Sequence, residues 1–222
     1  MSWPATKRAL IDHQVALGRA TPLWRPRGGD AVGGCFVCFT RGPSGPGRVG
    51  EPGWAGAAVV RDGVLAATAA VEGTAGAPYE AALLALREGP LLEAAVRALG
   101  DLPDMLLVNA TGRDHPRRAG LAVHVGALLE LPTIGVTHRP LLATGAWPDD
   151  VHGASAPLDL EGEVVGHWVR TRAGRRPLAV HAGWRTDPDL AARLVLDQCR
   201  MRTPESLRHA RRIARRARSG HP

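Results

Sequence analysis

Two short apolar runs, with a polar loop and a helix between them, constrain this chain more than any other feature. Met105-Leu106-Leu107-Val108 is one run and Pro132-Thr133-Ile134-Gly135-Val136 is the other. Both read as buried strands, because each is continuously apolar and too short for a helix. The polar loop 110–118 leads into a helix over 120–129. Upstream, residues 31–39 (Ala-Val-Gly-Gly-Cys-Phe-Val-Cys-Phe) read as a first buried strand entered through glycines. A second strand, 55–61, is turned by Asp62-Gly63 into a third over 64–71, and Asp-Gly between apolar runs is a hairpin signal. Hairpin strands, helix, strand, helix, strand is the order of an α/β domain with a mixed sheet flanked by helices.

The remaining segments fit around that frame. A helix is predicted over 6–17, followed by a connector rich in Pro and Arg, and 41–53 carries loop chemistry. Residues 79–99 are helical but interrupted by Gly89-Pro90, which predicts two helices or one kinked helix. Strands are expected over 164–171 and 177–180. A helix starts near Thr186, with Thr186 or Asp187 as cap and Pro188 in the first turn. Residues 206–218 look helical and carry six arginines, at Arg208, Arg211, Arg212, Arg215, Arg216 and Arg218. Their i, i+3, i+4, i+7 spacing covers one face, and the like charges repel. The chain divides into an N-terminal helix and connector (1–29), a main domain (30–205) and an arginine-rich tail (206–222).

Composition narrows the class. A chain of 222 residues with 45% hydrophobic and 22% charged residues suits a soluble globular domain. No apolar run approaches the ~20 residues that span a bilayer, and residues 1–10 carry no secretory signal. Three cysteines (Cys35, Cys38, Cys199) make no disulfide framework, so a reduced, cytoplasmic setting is expected. The net charge of +7 favours anionic partners, and apart from Lys7 the cations are arginines, whose planar fork suits phosphate. GC-rich codons would give the same Ala, Arg, Gly and Pro bias without any partner.

The segment Pro103 to Arg118, with Ala119-Gly120-Leu121-Ala122-Val123-His124-Val125-Gly126 and Leu131 to Val136, resembles the core block of the endonuclease V family. The resemblance runs from about residue 30 to residue 205. It implies an RNase H-like fold and an enzyme that uses a divalent metal to cut DNA or RNA near deaminated adenine, in repair of deoxyinosine. Pro78-Tyr79 resembles the start of the family's Pro-Tyr-Ile-Pro wedge, with Glu80-Ala81 in place of Ile-Pro. Leu86-Arg87-Glu88 resembles the context of its catalytic glutamate. By the same resemblance the base pocket is Ala110-Thr111-Gly112, and nucleic-acid contacts are expected at Tyr79, Gly112, His138, Arg139 and Trp184; the basic loop carrying Arg113, His115, Arg117 and Arg118 reads from its charge either as a phosphate contact or as a solvated loop. His124 repeats a family histidine, for which a helix–loop hydrogen bond is expected.

The departures bear on the chemistry. The resemblance puts the family's first metal-binding aspartate at Cys35 and its second at Asn109, and the late histidine at Trp184. Mg²⁺ prefers several hard, charged oxygen ligands. Asn109 offers a carbonyl oxygen without charge, and Cys35 a soft sulfur. Glu88 alone keeps its acid, so no bound metal or other cofactor is expected, Mg²⁺ entering only if residual nuclease activity survives. Cys35 and Cys38 lie three apart in a strand and so point to opposite faces, against a dithiol or zinc pair. Trp184 has two readings, stacking on a base or packing into space the metal cluster once filled.

Three functions remain open on the sequence. The first is a nuclease-inactive homologue, a pseudoenzyme, that still binds DNA or RNA and has no membrane role. The second is a scaffold repurposed as an enzyme on a small molecule or modified base, with Cys35, Glu88 and a histidine as working groups. The third is an active metal nuclease with substitute ligands such as Asp114 or Asp187.

Overall fold

The computed structural model describes residues 2–20, 22, 30–40 and 45–220. Helix α1 (Lys7–Arg19) starts where the Thr6 side chain accepts from the Ala9 N–H at 3.2 Å. Strand β1 (Val32–Phe39) follows, then the hairpin β2 (Pro52–Arg61) and β3 (Val64–Thr74). Asp62 and Gly63 both take positive φ (50° and 71°), the backbone a tight two-residue hairpin turn requires. Helix α2 (Leu84–Arg97) is one helix with Pro90 inside it, not two. It also begins five residues later than the pattern suggested, because Ala82 is left-handed (φ 63°) and ends any helical run before it.

Strand β4 (Met105–Val108), helix α3 (Leu121–Leu129) and strand β5 (Thr133–Thr137) form the predicted central unit. Strands β6 (Ser155–Leu160), β7 (Glu163–Val169) and β8 (Leu178–Ala182) complete the sheet, followed by α4 (Pro188–Asp197) and α5 (Glu205–Ser219). Asp187 caps α4 by accepting from the Leu190 N–H at 2.8 Å. Among the described residues the sheet has eight strands in the order β3-β2-β1-β4-β5-β8-β7-β6. The pairs β1–β4 and β4–β5 are parallel and the others antiparallel, so the sheet is mixed.

Strand alternation divides the core between two faces. Cys35, Ala55, Ala57, Leu106 and Val108 pack with α2 and α3 on one side. Val32, Met105, Leu107, Ile134 and Val136 pack with α4 and Leu207 of α5 on the other. The segment read as a tail is helix α5, seated directly on the sheet. A Cβ on Gly34 would lie 2.5 Å from the Ser206 carbonyl carbon, and one on Gly56 would lie 2.5 Å from the Ala210 oxygen. Burial of Leu207, Ala210 and Ala214 supplies the apolar contact that holds an otherwise self-repelling helix in place.

Candidate functional site

The parallel register sets Cys35 beside Val108, and Asn109 follows at the exit of β4. Cys35 has no exposure to solvent. Burial, and then the charge of Glu88, push its thiol far above the usual range. Glu88 therefore approaches Cys35 from α2. Burial raises its own carboxyl to about 7, opposed by Arg87, and it takes no hydrogen bond or ion pair from the described residues. Arg87 is turned elsewhere: it pairs with Glu51 at 2.7 Å, donates to the Ala77 carbonyl at 2.9 Å and lies 3.9 Å over the Phe39 ring. Cys38 looks to the opposite face, where Arg218 and Arg215 partly offset the upward push of burial on its thiol. The two cysteines thus face apart, as strand alternation dictates.

A cavity of about 170 Å³ opens next to this trio, lined by Tyr79, Ala85, Asn109, Thr111, His115 and Thr137 among others. Tyr79 is 55% exposed at its mouth, and Asn109 is exposed as well. Glu88 lies one helical turn beyond Leu84 and Ala85 of that lining. The turn carrying Tyr79 is held by the Tyr79 N–H on the Pro46 carbonyl at 2.6 Å and, at its far end, by the Ala82 carbonyl oxygen. It accepts from Gln14 Nε2 (3.0 Å), His115 Nε2 (3.0 Å) and Arg117 Nη2 (3.2 Å). A left-handed non-glycine residue costs of order 1 kcal/mol or more and persists where its surroundings over-determine it. His115 Nδ1 accepts from the Arg117 N–H at 3.2 Å, so the ring is neutral with its proton on Nε2. Burial lowers its pKa to about 4.

The arginines of the basic loop are half-buried and bonded within the protein. Arg117 also donates to Gln14 Oε1 at 2.7 Å. Arg113 donates to the carbonyls of Gly18 and Ala20 at the end of α1. Arg118 donates to the Leu160 carbonyl at 2.8 Å and pairs with Glu161 and Glu163. The charge pattern suggested phosphate contacts, but these side chains join loops to helix and hairpin. Gly112 is buried, and a Cβ there would meet the Ala182 oxygen at 2.0 Å, so close packing explains the glycine. Gln14 and Ala82, which govern the cavity rim, carried no sequence signal.

Other expected residues are dispersed. Trp184 neither lines the cavity nor fills space beside Cys35. It packs on Leu17, Ala119, Val123 and Ala127, at the end of β5 where Thr133 pairs with Leu106. His138 is exposed on the α5 face, where burial and then Arg202, Arg211 and Arg176 lower its pKa. Arg139 is exposed beside it. His124 makes no hydrogen bond with the described residues, contrary to expectation; its ring stacks on Trp3 at 4.6 Å and meets His13 edge-on at 4.6 Å.

The two acids considered as substitute metal ligands are committed to the backbone. Asp114 is fully buried and accepts from the N–H groups of Leu141, Leu142 and Ala143 at 2.5–2.9 Å. It also faces His181 Nδ1 at 3.6 Å. Asp187 is the cap of α4.

The endonuclease V family model covers residues 46–212. The chain belongs to the endonuclease V family. It is 41% identical over 225 residues to Endonuclease V of Streptomyces coelicolor, covering 97% of this chain and 92% of that protein. With the Methanopyrus kandleri Endonuclease V it shares 45% over 151 residues, and there the chain spans only 65% of the relative's length (67% of its own). The Streptomyces avermitilis Endonuclease V crystal structure superposes with a TM-score of 0.85 at 34% identity, covering 99% of this chain and 96% of that one. A Ciona intestinalis Endonuclease V, solved with DNA containing an inosine, shares the fold at TM-score 0.80 and 19% identity, over 96% and 97% of the two chains. These neighbours carry the RNase H-like fold that the resemblance implied.

Proposed function

We propose that this chain is an endonuclease V homologue that binds nucleic acid without metal-dependent cleavage. The observation that carries the reading is the donor set around Glu88: a fully buried cysteine on β1 and the neutral amide of Asn109 at the exit of β4. A divalent cation needs converging ionised oxygens. This donor set has one carboxylate, a soft sulfur and a neutral amide, and does not fit Mg²⁺. Among the described residues no group of three or more His, Cys, Asp or Glu side chains is arranged to hold a metal ion. The engagement of Asp114 and Asp187 by backbone N–H groups weighs against replacement ligands.

What the site retains is suited to binding. Tyr79 presents an aromatic ring at the cavity mouth, and the Asn109 amide beside it offers both a donor and acceptors to a base edge. Stacking plus such an edge contact can hold an unstacked base. The closed setting of Cys35 speaks against its use as a nucleophile, since a reactive thiolate needs an accessible, electropositive environment.

The test has two arms on the full chain. Inosine-containing and plain DNA and RNA are incubated with Mg²⁺ or Mn²⁺ and resolved for nicks, and the same strands are titrated by fluorescence anisotropy. Binding without nicking is expected. Nicking on the 3′ side of inosine that Glu88→Ala abolishes would overturn the loss of cleavage, and absence of binding at low salt would overturn the rest.

A further inference from the structure

A concave surface larger than the cavity at Asn109 lies elsewhere on the molecule. A groove of about 740 Å³ lies along α5, lined by Arg208, Arg211, Arg212, Arg215, Trp54 and Thr40 among others. It runs into a second depression of about 330 Å³ that shares Arg208 and Arg211 and adds Arg172, Arg175 and Arg202. Helical rise carries the arginine row over about 15 Å from Arg208 to Arg218. The row stands on the sheet face opposite Cys35, because Gly34 and Gly56 are the residues against which α5 rests. Two aromatic rings belong to this face: Trp54 in the groove wall, and Phe36 with Arg211 stacked 5.0 Å above it.

Few acids answer these cations. Glu205 pairs with Arg208, and Glu72 stands exposed across the hairpin from Trp54. Arg212, exposed, bonds to His209 at 2.9 Å, while Arg215 and Arg216 are exposed and make no ion pair with described residues. Crowding lowers the pKa of Arg211, through burial and then Arg215 and Arg202, and that of Arg202, through burial and then Arg176 and Arg175. An anion laid along the row relieves that repulsion.

We propose that this groove is a second nucleic-acid surface, taking the phosphodiester backbone of a single strand along the α5 arginines with a base against Trp54. The inference goes beyond the reading above and does not need the cavity at Asn109 to be filled. An aromatic wall beside a row of cations is how single strands are held without sequence readout. A lipid surface fits worse, because a helix that enters a bilayer interface needs a free apolar face. The apolar residues of α5, Leu207, Ala210 and Ala214, are already buried on the sheet.

The experiment follows anisotropy of a 15-nucleotide strand, as DNA and as RNA, across a salt series with the full chain. Each lost phosphate contact to a single strand reduces the slope of log K against log salt by about 0.7. Arg212→Gln with Arg215→Gln is expected to weaken binding about 10-fold and to lower the slope by about 1.4. Arg8→Gln with Arg193→Gln removes the same charge from α1 and α4 and is expected to leave the slope unchanged. Trp54→Phe is expected to keep most of the affinity, and Trp54→Ala to lose about 10-fold. Equal loss in the two arginine pairs overturns the groove, as does no strand binding by the wild type. So does binding to phosphatidylserine vesicles or polyglutamate that matches the strand. Tyr79→Ala separates the two surfaces. Loss of all binding in that variant, with none in the groove pair, leaves the cavity reading standing and removes this one; the reverse pattern does the opposite.

Discussion

Replacing Glu88 by glutamine is expected to stabilise the protein at neutral and alkaline pH. The folded state raises this carboxyl from an ordinary 4.5 to about 7, chiefly because burial disfavours the charge. Below pH 4.5 the group is protonated in both folded and unfolded chains and costs nothing. Between 4.5 and 7 the folded chain holds the proton that the unfolded chain releases, so stability falls as pH rises, and the penalty is complete above 7. At about 1.4 kcal/mol per pH unit the penalty is about 3 kcal/mol, an upper bound since Glu88 is only partly buried. Glutamine keeps the shape and removes the charge. Urea denaturation of both proteins from pH 4.5 to 8.5 reads the difference directly, and subtraction cancels the histidines common to both. The difference is expected to be near zero at pH 4.5, to grow through pH 6 and to plateau in favour of glutamine below that bound of about 3 kcal/mol. In a domain of this size the bound corresponds to at most roughly 6–12 °C in Tm. A flat difference, or a wild type more stable than the variant at pH 8, would refute the assignment of an uncompensated carboxyl.

Four further outcomes follow from the same geometry. Cys35→Asp with Asn109→Asp restores two carboxylates beside Glu88, and a Tm rise on adding Mg²⁺ is expected in that variant but not in the wild type; differential scanning fluorimetry compares them. Asp114→Ala strips three backbone N–H groups of their buried acceptor and is expected to cost about 4 kcal/mol in chemical denaturation. His115 and His124 are held neutral by burial, with pKa values lowered to about 4 and about 3. Their stabilisation is complete above pH 6.5 and lost as pH falls towards 4, so His124→Phe is expected to flatten the acid limb of a stability–pH curve. Gly56→Ala drives a Cβ to within 2.5 Å of the Ala210 oxygen. It is expected to cost about 2 kcal/mol and to shift α5, read as lost helix protection in hydrogen exchange.

The elements that were legible owed it to local chemistry. Asp62-Gly63 announces its hairpin because few other pairs accept two positive φ angles in succession, and Asp187-Pro188 announces α4. Strand β6 was missed because Ser-Ala-Pro-Leu-Asp-Leu carries a proline and buries only Leu158 fully. The proline in α2 suggested a break, but a helix packed on β2 and β3 tolerates the missing donor. Of the site, Cys35, Glu88 and Asn109 could be located from the resemblance, and strand alternation separated Cys35 from Cys38. The internal partners of the basic loop were not legible for a physical reason. A sequence displays donors such as Arg113, Arg117 and Arg118 but not the carbonyls of Gly18, Ala82 and Leu160 that the fold brings to them.

The three donors on the Ala82 carbonyl have a consequence for how any guest arrives. A rim fixed by that many bonds has little backbone freedom left to surrender. Encounter then resembles a key meeting a finished lock, not a loop folding over its prey. Discrimination between guests falls to the shape of the opening instead of to a closing movement.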